Sequence, residues 1–425
     1  MTKLGYKMTE IGEILDDWDF LPLTKLANFI NGMAFKPRER KEHGIPIVRI
    51  ENLNNPYAPF NYFDGVVDDK FLLNDGDILL SWSASLGVYI WNHGKAVLNQ
   101  HIFKVVPNEQ VNKKYLFWAL HDSVENLGKV THGSTMKHFQ KGELGRTKIA
   151  LPPLPEQQKI AKILSTVDEA IQRVNDQITK TERLKKGLMQ TLLTKGIGHT
   201  KFKMTDIGKI PETWKLTNIS NSSILKGRIG WQGLTTKEYL KNGDYFLVTG
   251  TEFKEGTIDW LRSKYVTKER YDQDPNIQIR INDILLTKDG TIGKVALVNS
   301  LPKPATVNTG VFVLRPIDEC YDPEYMFYLL QSEQFLKFVE TLKAGSTISH
   351  LYQYSFNRFR FSLPPILEQR KISQILTGIN NYIISSEKYK KKLEELKKGL
   401  MQDLLTGKIR VNNLKGVLNI NGNTV

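Results

Sequence analysis

The stretch LPPLPEQQ at residues 151–158 returns as LPPILEQR at residues 363–370. The prolines hold the chain extended, and because proline is tolerated before or at a first helical turn but not inside a helix, each stretch marks the start of one. Both lead into a long helical pattern that ends in KKGLMQ, at residues 185–190 and 397–402. The chain therefore contains the beginning and the end of the same helix twice.

The repetition extends into the sequence before each helix. KMTEIG at residues 7–12, followed by Trp18, returns as KMTDIG at residues 203–208, followed by Trp214. Matched residues are 196 positions apart at the tryptophans, 206 and 209 further on, and 212 along the helices. A repeat of about 200 residues is too long for a solenoid unit, so it indicates a duplicated domain. Insertions fall in the globular half, and the helical half keeps one length.

An apolar heptad pattern follows each helix, which spans roughly 40 residues and about 60 Å at 1.5 Å per residue. The seam residues are Ile160, Leu164, Val167, Ile171, Val174 and Ile178, and then Ile372, Leu376, Ile379, Ile383 and Leu393. Such a seam needs a partner, and the other copy is the obvious one. Antiparallel pairing would relate the two globular parts by a pseudo-two-fold axis, whereas parallel pairing would place both at one end. The alternative is that both are packing helices of one large domain.

The globular halves show short apolar runs separated by Gly, Pro and Asn, which predict strands. These runs are residues 45–50, 77–80 and 97–105, and then 245–248, 283–286, 294–298 and 311–314; short helices are predicted over 115–120 and 325–330. The predicted fold class is α+β, with two similar mixed α/β domains separated by two long helices that form an antiparallel coiled coil. The predicted segments are a first domain 1–152, a helix 153–198, a second domain 199–362, a helix 363–412 and a tail 413–425.

Composition narrows the class of protein. The chain has 425 residues, of which 40% are hydrophobic and 24% charged, as in ordinary globular proteins. No apolar run reaches the roughly 18 residues of a membrane helix, and the first residues contain no signal core. The single cysteine, Cys320, excludes a disulfide framework and a cysteine metal cluster. We expect no membrane association and a cytoplasmic location.

The balance of charge favours a polyanionic partner. Lys and Arg number 59 against 45 Asp and Glu, a formal net charge of +14. Binding of such a chain to a polyanion is driven by release of counterions. The alternative is a surplus spread over solvated surface.

These features together resemble the DNA specificity subunit of Type I restriction-modification systems. The resemblance rests on the LPPxxEQ beginning and the KKGLMQxLLT end of each helix, on the Gly-Ser-Thr turns at Gly133 and Gly345, and on residues 227–236 and 308–316. It covers nearly the whole chain, to about Arg410. A single fragment would be weak support, but all of them in the same order, twice, are specific.

The resemblance implies that each globular part is a target recognition domain that reads one half of an asymmetric, bipartite duplex DNA target. The helices would form a spacer on which two methyltransferase subunits dock for adenine methylation, and restriction subunits would complete a host-defence complex. The two readers would address half-sites about one helical turn apart. S-adenosylmethionine, ATP and magnesium would belong to the partner subunits, so we expect no cofactor on this chain.

Candidate DNA-contacting residues are polar or basic and lie in loops between predicted strands, where Arg and Lys can reach phosphates or guanine and Gln can pair with adenine. The first domain offers Lys36, Arg38, Arg40, Lys41, His43, Ser81, Ser83, Ser85, Thr135, Lys137 and His138. The second offers Arg228, Trp231, Gln232, Thr235, Thr236, Lys237, Lys288, Asp289, Thr291, Lys294, Thr347 and His350. The alternatives are a solvated basic loop, a core role for Trp231, and hydroxyl-capped turns at the Gly-Ser-Thr sequences.

Motifs for catalysis are missing from the sequence. Residues 290–294, GTIGK, lack the spacer and the hydroxyl residue of a nucleotide-binding phosphate loop. No amino-methyltransferase motif occurs, and the eight histidines do not pair at metal-ligand spacing. We therefore predict a non-enzymatic subunit without an intrinsic metal site. Two other classes remain, a repeated coiled-coil protein scaffold that does not bind DNA and a cryptic nuclease.

Overall fold

In the computed structural model, residues 4–55, 57–83, 86–130, 141–344 and 350–411 are described. The chain forms two compact units, one from Met1–Asn175 with Lys388–Val425 and the other from Asp176–Glu387. Each long helix is therefore shared, because one half of it belongs to each unit. The predicted segments treat each long helix as a separate segment, whereas the boundaries of the units fall within the helices.

The first unit is a mixed α/β structure of short strands. Its elements, with the whole of the first long helix, are β1 Tyr6–Thr9, β2 Gly12–Leu15, β3 Asp19–Pro22, α1 Leu23–Leu26, β4 Ala27–Asn31, β5 Ile45–Val48, α2 Ile50–Asn54, β6 Asn61–Phe63, β7 Leu72–Leu73, β8 Ile78–Ser81, β9 Gly87–Ile90, β10 Ala96–Leu98, β11 Ile102–Pro107, α3 Lys113–Val130, α4 Lys141–Arg146, β12 Lys148–Leu151 and α5 Leu154–Lys195. Two four-stranded sheets have the orders β4-β11-β8-β9 and β6-β5-β10-β7. Strands β5 and β10 are parallel, and the other pairs within these sheets are antiparallel.

The second unit repeats this plan. Its elements, with the whole of the second long helix, are β13 Phe202–Thr205, β14 Gly208–Pro211, β15 Lys215–Asn218, α6 Ile219–Ser222, β16 Ser223–Gly227, β17 Tyr245–Val248, β18 Phe253–Lys254, β19 Thr257–Ile258, β20 Lys264–Val266, α7 Lys268–Asp272, β21 Ile284–Thr287, β22 Val295–Leu297, β23 Ala305–Val307, β24 Val311–Pro316, α8 Pro323–Leu329, α9 Glu333–Ala344, α10 Gln353–Asn357, β25 Arg360–Leu363 and α11 Ile366–Leu405. Its sheets have the orders β16-β24-β21-β22 and β20-β17-β23, with β17 and β23 parallel. The prediction of two similar mixed α/β domains is confirmed.

One predicted strand is wrong, and one predicted helix is confirmed but is longer than predicted. Residues 97–105 are not one strand, because β10 ends at Leu98 and β11 begins at Ile102 in the other sheet. The helix predicted over 115–120 belongs to the 18-residue α3. The single strand was predicted across Asn99, Gln100 and His101, three consecutive polar residues that separate the two real strands.

Each globular part is joined to the start of the helix that follows it by a buried tryptophan. The indole Nε1 of Trp18 donates to Glu156 Oε2 at 3.1 Å, and that of Trp214 donates to Glu368 Oε2 at 3.1 Å. Both tryptophans are 0% exposed. Because a buried indole N–H needs an acceptor, one hydrogen bond made twice explains the repeated Trp and Glu.

The glutamine of each LPPxxEQ stretch ties the long helix to the preceding globular helix. Gln157 donates to the carbonyl of the first proline of its stretch at 2.8 Å and accepts from the backbone N–H of Asn112, just before α3, at 2.7 Å. Gln369 likewise donates to the carbonyl of Pro364 at 2.8 Å and accepts from the backbone N–H of Asp322, just before α8, at 2.9 Å. The stretch that marks the fold in the sequence is thus a structural joint.

The two long helices pair antiparallel within the first unit. Lys397 Nζ donates to Asp168 Oδ1 at 2.6 Å, and Lys390 Nζ donates to Asn175 Oδ1 at 2.7 Å. The second contact lies seven residues later on α5 and seven residues earlier on α11. The two helices therefore run in opposite directions.

The second unit shows the same direction of pairing. Lys185 Nζ donates to Asn380 Oδ1 at 2.6 Å. Leu192 and Leu193, near the end of α5, share a core with Ile372 and Leu376, near the start of α11. The predicted antiparallel pairing of the helices is therefore confirmed within each unit.

Most of the predicted seam is buried. The buried members are Ile160, Leu164, Val167, Val174, Ile178, Ile372, Leu376, Ile383 and Leu393. Ile171 and Ile379 are half-buried. Ile160 and Leu164 belong to the core around Trp18, so the first turns of the helix serve the globular part before the helix pair begins.

The KKGLMQ end of each helix also lies against a globular core. Met401 and Leu404 join the core around Trp18, whereas Leu192 and Leu193 join the core around Trp214. Gly196, just after α5, has φ +67°, and an added Cβ would lie 2.7 Å from the Trp214 ring. Each globular core therefore contains residues from the start of one long helix and from the end of the other.

Within the described ranges, none of the helices is long and apolar enough to cross a membrane.

Candidate nucleic-acid interface

Loops of the first unit converge where its parallel strands end. Strands β5 and β10 finish at Val48 and Leu98 on the same edge, because parallel strands share the edge of their carboxyl ends. There β8 ends at Ser81, opposite the first residue of β11. Residues 32–36, 49–55, 82–83 and 99–101 connect these strands, and we call them the first loop edge.

Backbone hydrogen bonds hold the first loop edge together. Met33 N donates to Leu98 O at 2.8 Å, and Gln100 N donates to Met33 O at 2.8 Å. The approach is so close that a Cβ on Gly32 would lie 2.2 Å from Asn99 O, which explains the glycine. The loop that leads to the basic stretch is therefore fixed on the end of β10.

The second unit has an equivalent edge. Strands β17 and β23 are parallel and finish at Val248 and Val307, and β21 ends at Thr287, opposite the first residue of β24. Residues 228–240, 249–252, 288–293 and 308–310 connect these strands, and we call them the second loop edge.

Asn308 links three loops of this second edge. Its backbone N–H donates to Val248 O at 2.9 Å, its Oδ1 accepts from Leu234 N at 3.3 Å, and its Nδ2 donates to Tyr239 Oη at 2.6 Å. The side chain is 8% exposed. Asn308 therefore organises the edge from below, as Asn99 does in the first unit through its backbone.

A short turn with exposed cations follows the first loop edge directly, and an equivalent turn lies within the second. In the first unit, Glu39 accepts from the Lys36 backbone N–H at 2.7 Å across the turn Pro37–Glu39. In the second, Glu238 accepts from Thr235 N at 2.9 Å across Thr236–Glu238. The Thr235 bond first, and then Arg270, lower the pKa of the Glu238 carboxyl, so it stays ionised. The turns leave Arg38 and Lys237 facing solvent at matching places.

The structure brings most of the described candidates to the two loop edges or to their flanking turns. Exposed candidates are Lys36, Arg38, Arg40, Lys41, His43, Thr235, Thr236, Lys237, Asp289, Thr291 and Lys294. Half-buried candidates are Ser83, Lys288 and His350. Ser81 is 0% exposed, inside β8. Ser85, Thr135, Lys137, His138, Thr347 and the side chain of Trp231 lie outside the described residues.

Arg228 does not face solvent. It is 1% exposed, and its guanidinium donates to Val307 O at 3.0 Å, Gln273 Oε1 at 3.0 Å and Thr306 Oγ1 at 3.2 Å. Burial lowers the pKa of this guanidinium. Gln232 is also buried, at 7% exposed. The geometry gives Arg228 a supporting part beneath the loop, and the prediction that it contacts DNA gains no support.

Asp289 and His350 connect two of the predicted loops. The His350 ring Nδ1 contacts Asp289 Oδ1, and Leu351 N donates to Lys288 O at 2.8 Å. Lys288 Nζ lies 4.7 Å from the centre of the Phe312 ring, and burial lowers the pKa of its ammonium group. The described end of the third predicted loop thus reaches the second loop edge.

Sequence reasoning missed several residues of these edges. Arg49 and Thr249 directly follow the equivalent strands β5 and β17, and Trp82 and Gln100 lie in the first edge. Trp82 N donates to His101 O at 3.3 Å. Their signal was their place directly after buried strands, but it could be used only once β5 and β10 were known to be parallel.

Among the residues that the structure describes, no group of three or more His, Cys, Asp or Glu side chains could hold a metal ion.

One α/β domain with one loop edge, present twice and combined with long antiparallel helices, defines a class of proteins built from a duplicated domain and a duplicated helix. The comparisons with known proteins give that class a family. The profile of the type I restriction modification DNA specificity domain matches residues 15–183 and again residues 214–398.

Full-length relatives agree with this match. The chain is 31% identical over 414 residues to the type I restriction enzyme MjaVIII specificity subunit of Methanocaldococcus jannaschii, covering 94% of each chain. It is 32% identical over 427 residues to the putative MjaX specificity subunit of the same organism, covering 96% of this chain and 97% of that one. The crystal structure of the type I system S subunit from M. genitalium has the same fold, with a TM-score of 0.59 at 16% identity over 95% of this chain and 99% of that chain.

The chain belongs to the specificity subunits of type I restriction-modification systems, which are non-catalytic subunits. The resemblance inferred from the repeated motifs is confirmed.

Proposed function

We propose that this chain selects the DNA sequence acted on by a type I restriction-modification complex, with each loop edge reading one half of a split duplex target. The observation that supports this most is the recurrence of one loop edge in two units, each with exposed cations and polar side chains above a buried strand end. Cations of this kind contact phosphates and position the protein, and the remaining polar groups read base edges.

The two edges carry different side chains on the same backbone plan, so the two half-sites should differ. Arg49 in the first edge corresponds to Thr249 in the second, just after β5 and β17. Ser83 corresponds to Asp289, after β8 and β21. Arginine pairs with guanine and carboxylates accept from cytosine, whereas Ser and Thr discriminate less. The proposed target is therefore asymmetric.

The proposal includes partners. Two methyltransferase subunits would dock on the long helices and methylate an adenine in each half, and restriction subunits would join them. S-adenosylmethionine, ATP and magnesium would be bound by those subunits and not by this chain. The purified chain alone should then show no saturable S-adenosylmethionine binding in calorimetry, and tight binding would refute this part.

Methylome mapping of cells that produce the chain with its methyltransferase subunits tests the reading function. The expected result is N6-methyladenine in one split, asymmetric motif. Replacing residues 19–151 with the corresponding domain of a relative, while keeping Trp18, Glu156 and the first domain's contacts with Met401 and Leu404, should change one half of that motif only. A change in both halves, or an unsplit motif, would contradict the proposal.

Duplex binding gives an independent test with a matched control. Removing one phosphate-contacting cation, in Arg38→Ala or Lys237→Ala, should lower the slope of log affinity against log salt by about 1. Lys209→Ala, in the hairpin β13–β14 away from the loop edges, serves as the control and should leave the slope unchanged.

A further inference from the structure

Two large side chains next to the loop edges, a leucine and a tyrosine, are almost wholly exposed. Leu261 is 99% exposed and Tyr57 is 88% exposed. Leu261 lies three residues before β20 and Tyr57 four residues before β6, and these strands hold equivalent places beside β17 and β5. Because β20 and β6 run antiparallel to their neighbours, the residues before them lie at the carboxyl ends of β17 and β5. Both side chains therefore stand at a loop edge.

The turn that carries Leu261 is anchored on both sides. Trp260 Nε1 donates to Ser300 O at 3.1 Å, and its ring lies 5.2 Å from that of Phe246. Ser263 N donates to Trp260 O at 3.3 Å, which closes the turn behind Leu261. The neighbours of Leu261 are thus held by the protein while the leucine itself projects.

Tyr57 is presented in a similar way by a different turn. Its backbone N–H donates to Asn55 Oδ1 at 3.0 Å, and Ala58 N donates to Asn55 O at 3.0 Å. Asn52, which is 5% exposed, donates from Nδ2 to Ala58 O at 3.2 Å. Two unrelated turns therefore place an exposed apolar residue at the same position of the fold.

The surroundings of Leu261 are cationic and polar. It borders a cavity of about 650 Å³ whose lining includes the cations Lys241, Arg262 and Lys264, the hydroxyl of Thr249 and one buried carboxylate, Glu252. An apolar tip among cations matches duplex DNA, because phosphates pair with the cations while the stacked bases accept the apolar group. Side chains such as Leu and Phe are used as wedges between base steps by proteins that kink DNA.

We propose that Leu261 and Tyr57 are wedges that insert into the base stack, one in each half of the DNA target. This inference rests on the proposed reading function. The wedge opens a base step beside the bases that the loop edge contacts, so sequences that unstack readily at that step are favoured.

The test uses the full chain assembled with methyltransferase subunits and duplexes that carry the mapped motif, with 2-aminopurine placed in turn at positions other than the methylated adenine. Wild-type protein should raise 2-aminopurine fluorescence at one step in each half. Leu261→Ala should abolish the rise in the half read by the second domain and keep the other, and Tyr57→Ala should do the reverse. Each variant should lose about tenfold in affinity.

Val66 supplies a matched control. It is also 99% exposed, but it follows β6 and so lies at the opposite end of that strand. Val66→Ala should leave both fluorescence changes intact. If Val66→Ala weakens binding as much as Leu261→Ala does, general apolar contact explains the effect and the wedge is refuted.

The outcomes separate the two proposals. Failure of the wild-type complex to retain the duplex or to methylate a split motif would overturn the reading function. Normal split methylation with no fluorescence change, or with a fully active Leu261→Ala, would overturn only the wedge. Loss of methyltransferase assembly in Leu261→Ala would make the leucine a protein contact and would also overturn the wedge.

Discussion

The joints between globular part and helix are the same in the two units, whereas the loop edges carry different side chains. At the joints, Trp18 and Trp214 meet their glutamates at the same 3.1 Å. At the edges, the backbone plan recurs but Arg49 is replaced by Thr249 and Ser83 by Asp289. The duplicated residues thus lie where each globular part is joined to its helix, and the divergent residues lie at the edges proposed to read DNA.

The largest effect on stability is expected from substitutions at the joints. Trp18→Ala and Trp214→Ala should each lower the free energy of unfolding by about 3–5 kcal/mol, because a large buried side chain is lost. Urea unfolding measures both, and Trp82→Ala, a half-buried loop-edge residue, should cost about 1 kcal/mol as the control. A large loss of unfolding free energy for only one of the two variants, Trp18→Ala or Trp214→Ala, would show that the joints are not equivalent.

The next effect separates the two edges. Gly32 and Arg228 follow the equivalent strands β4 and β16. Gly32→Ala would drive a Cβ to 2.2 Å from Asn99 O and so displace the first edge, at a cost of about 1–3 kcal/mol. In the second edge, Arg228→Met would leave the carbonyl of Val307 without its hydrogen-bond donor. Methylome mapping should show each variant impairing one half-site, while Gly145→Ala, in α4 and with no atom within 4 Å of the added Cβ, impairs neither.

A smaller effect is expected at the glutamates of the two joints, whose hydrogen bonds differ. Glu368 Oε1 accepts from Ile197 N at 2.9 Å and contacts the His199 ring at 2.8 Å, whereas Glu156 Oε1 has no hydrogen-bond partner in the described part of the chain. Glu368→Gln would face its amide N–H₂ toward a backbone donor and should cost about 1–3 kcal/mol. Glu156→Gln should cost less in the same unfolding assay, and the reverse order would contradict this geometry.

The smallest effect concerns the helices. Asp168–Lys397 in the first unit and Asn380–Lys185 in the second occupy equivalent positions. Asp168→Asn makes the first pair like the second and should cost about 0.2–1 kcal/mol, since the aspartate side chain is 47% exposed. Unfolding at low and high salt measures it, with a cost that shrinks as salt rises. A cost that does not change with salt would mean that packing dominates.

The large features of the fold could be predicted because they depend on patterns that occur twice. The prolines, the heptads and the KKGLMQ ends are local signals, and their repetition fixed the number of domains. The pairing of β5 with β10 joins residues about 50 positions apart, so no local pattern reports it. The polar residues 99–101 mark the turn between β10 and β11, but they do not show that the two strands belong to different sheets.

The candidate site was only partly predictable because charge in a sequence does not report burial. Arg228 has the same residue type as Arg38, yet one is buried and the other exposed. His199 contacts Glu368, which is 169 positions away in the chain, so no local pattern in the sequence indicates the contact. Such contacts follow from the packing of the whole unit.

The second unit is one continuous stretch, Asp176–Glu387, whereas the first needs Lys388–Val425 as well. The core around Trp18 lacks Met401, Leu404 and Leu405 until the ribosome has translated past residue 405. The part synthesised first is therefore completed last, and a premature stop codon near residue 390 would remove the lid of that core while sparing the other half of the molecule.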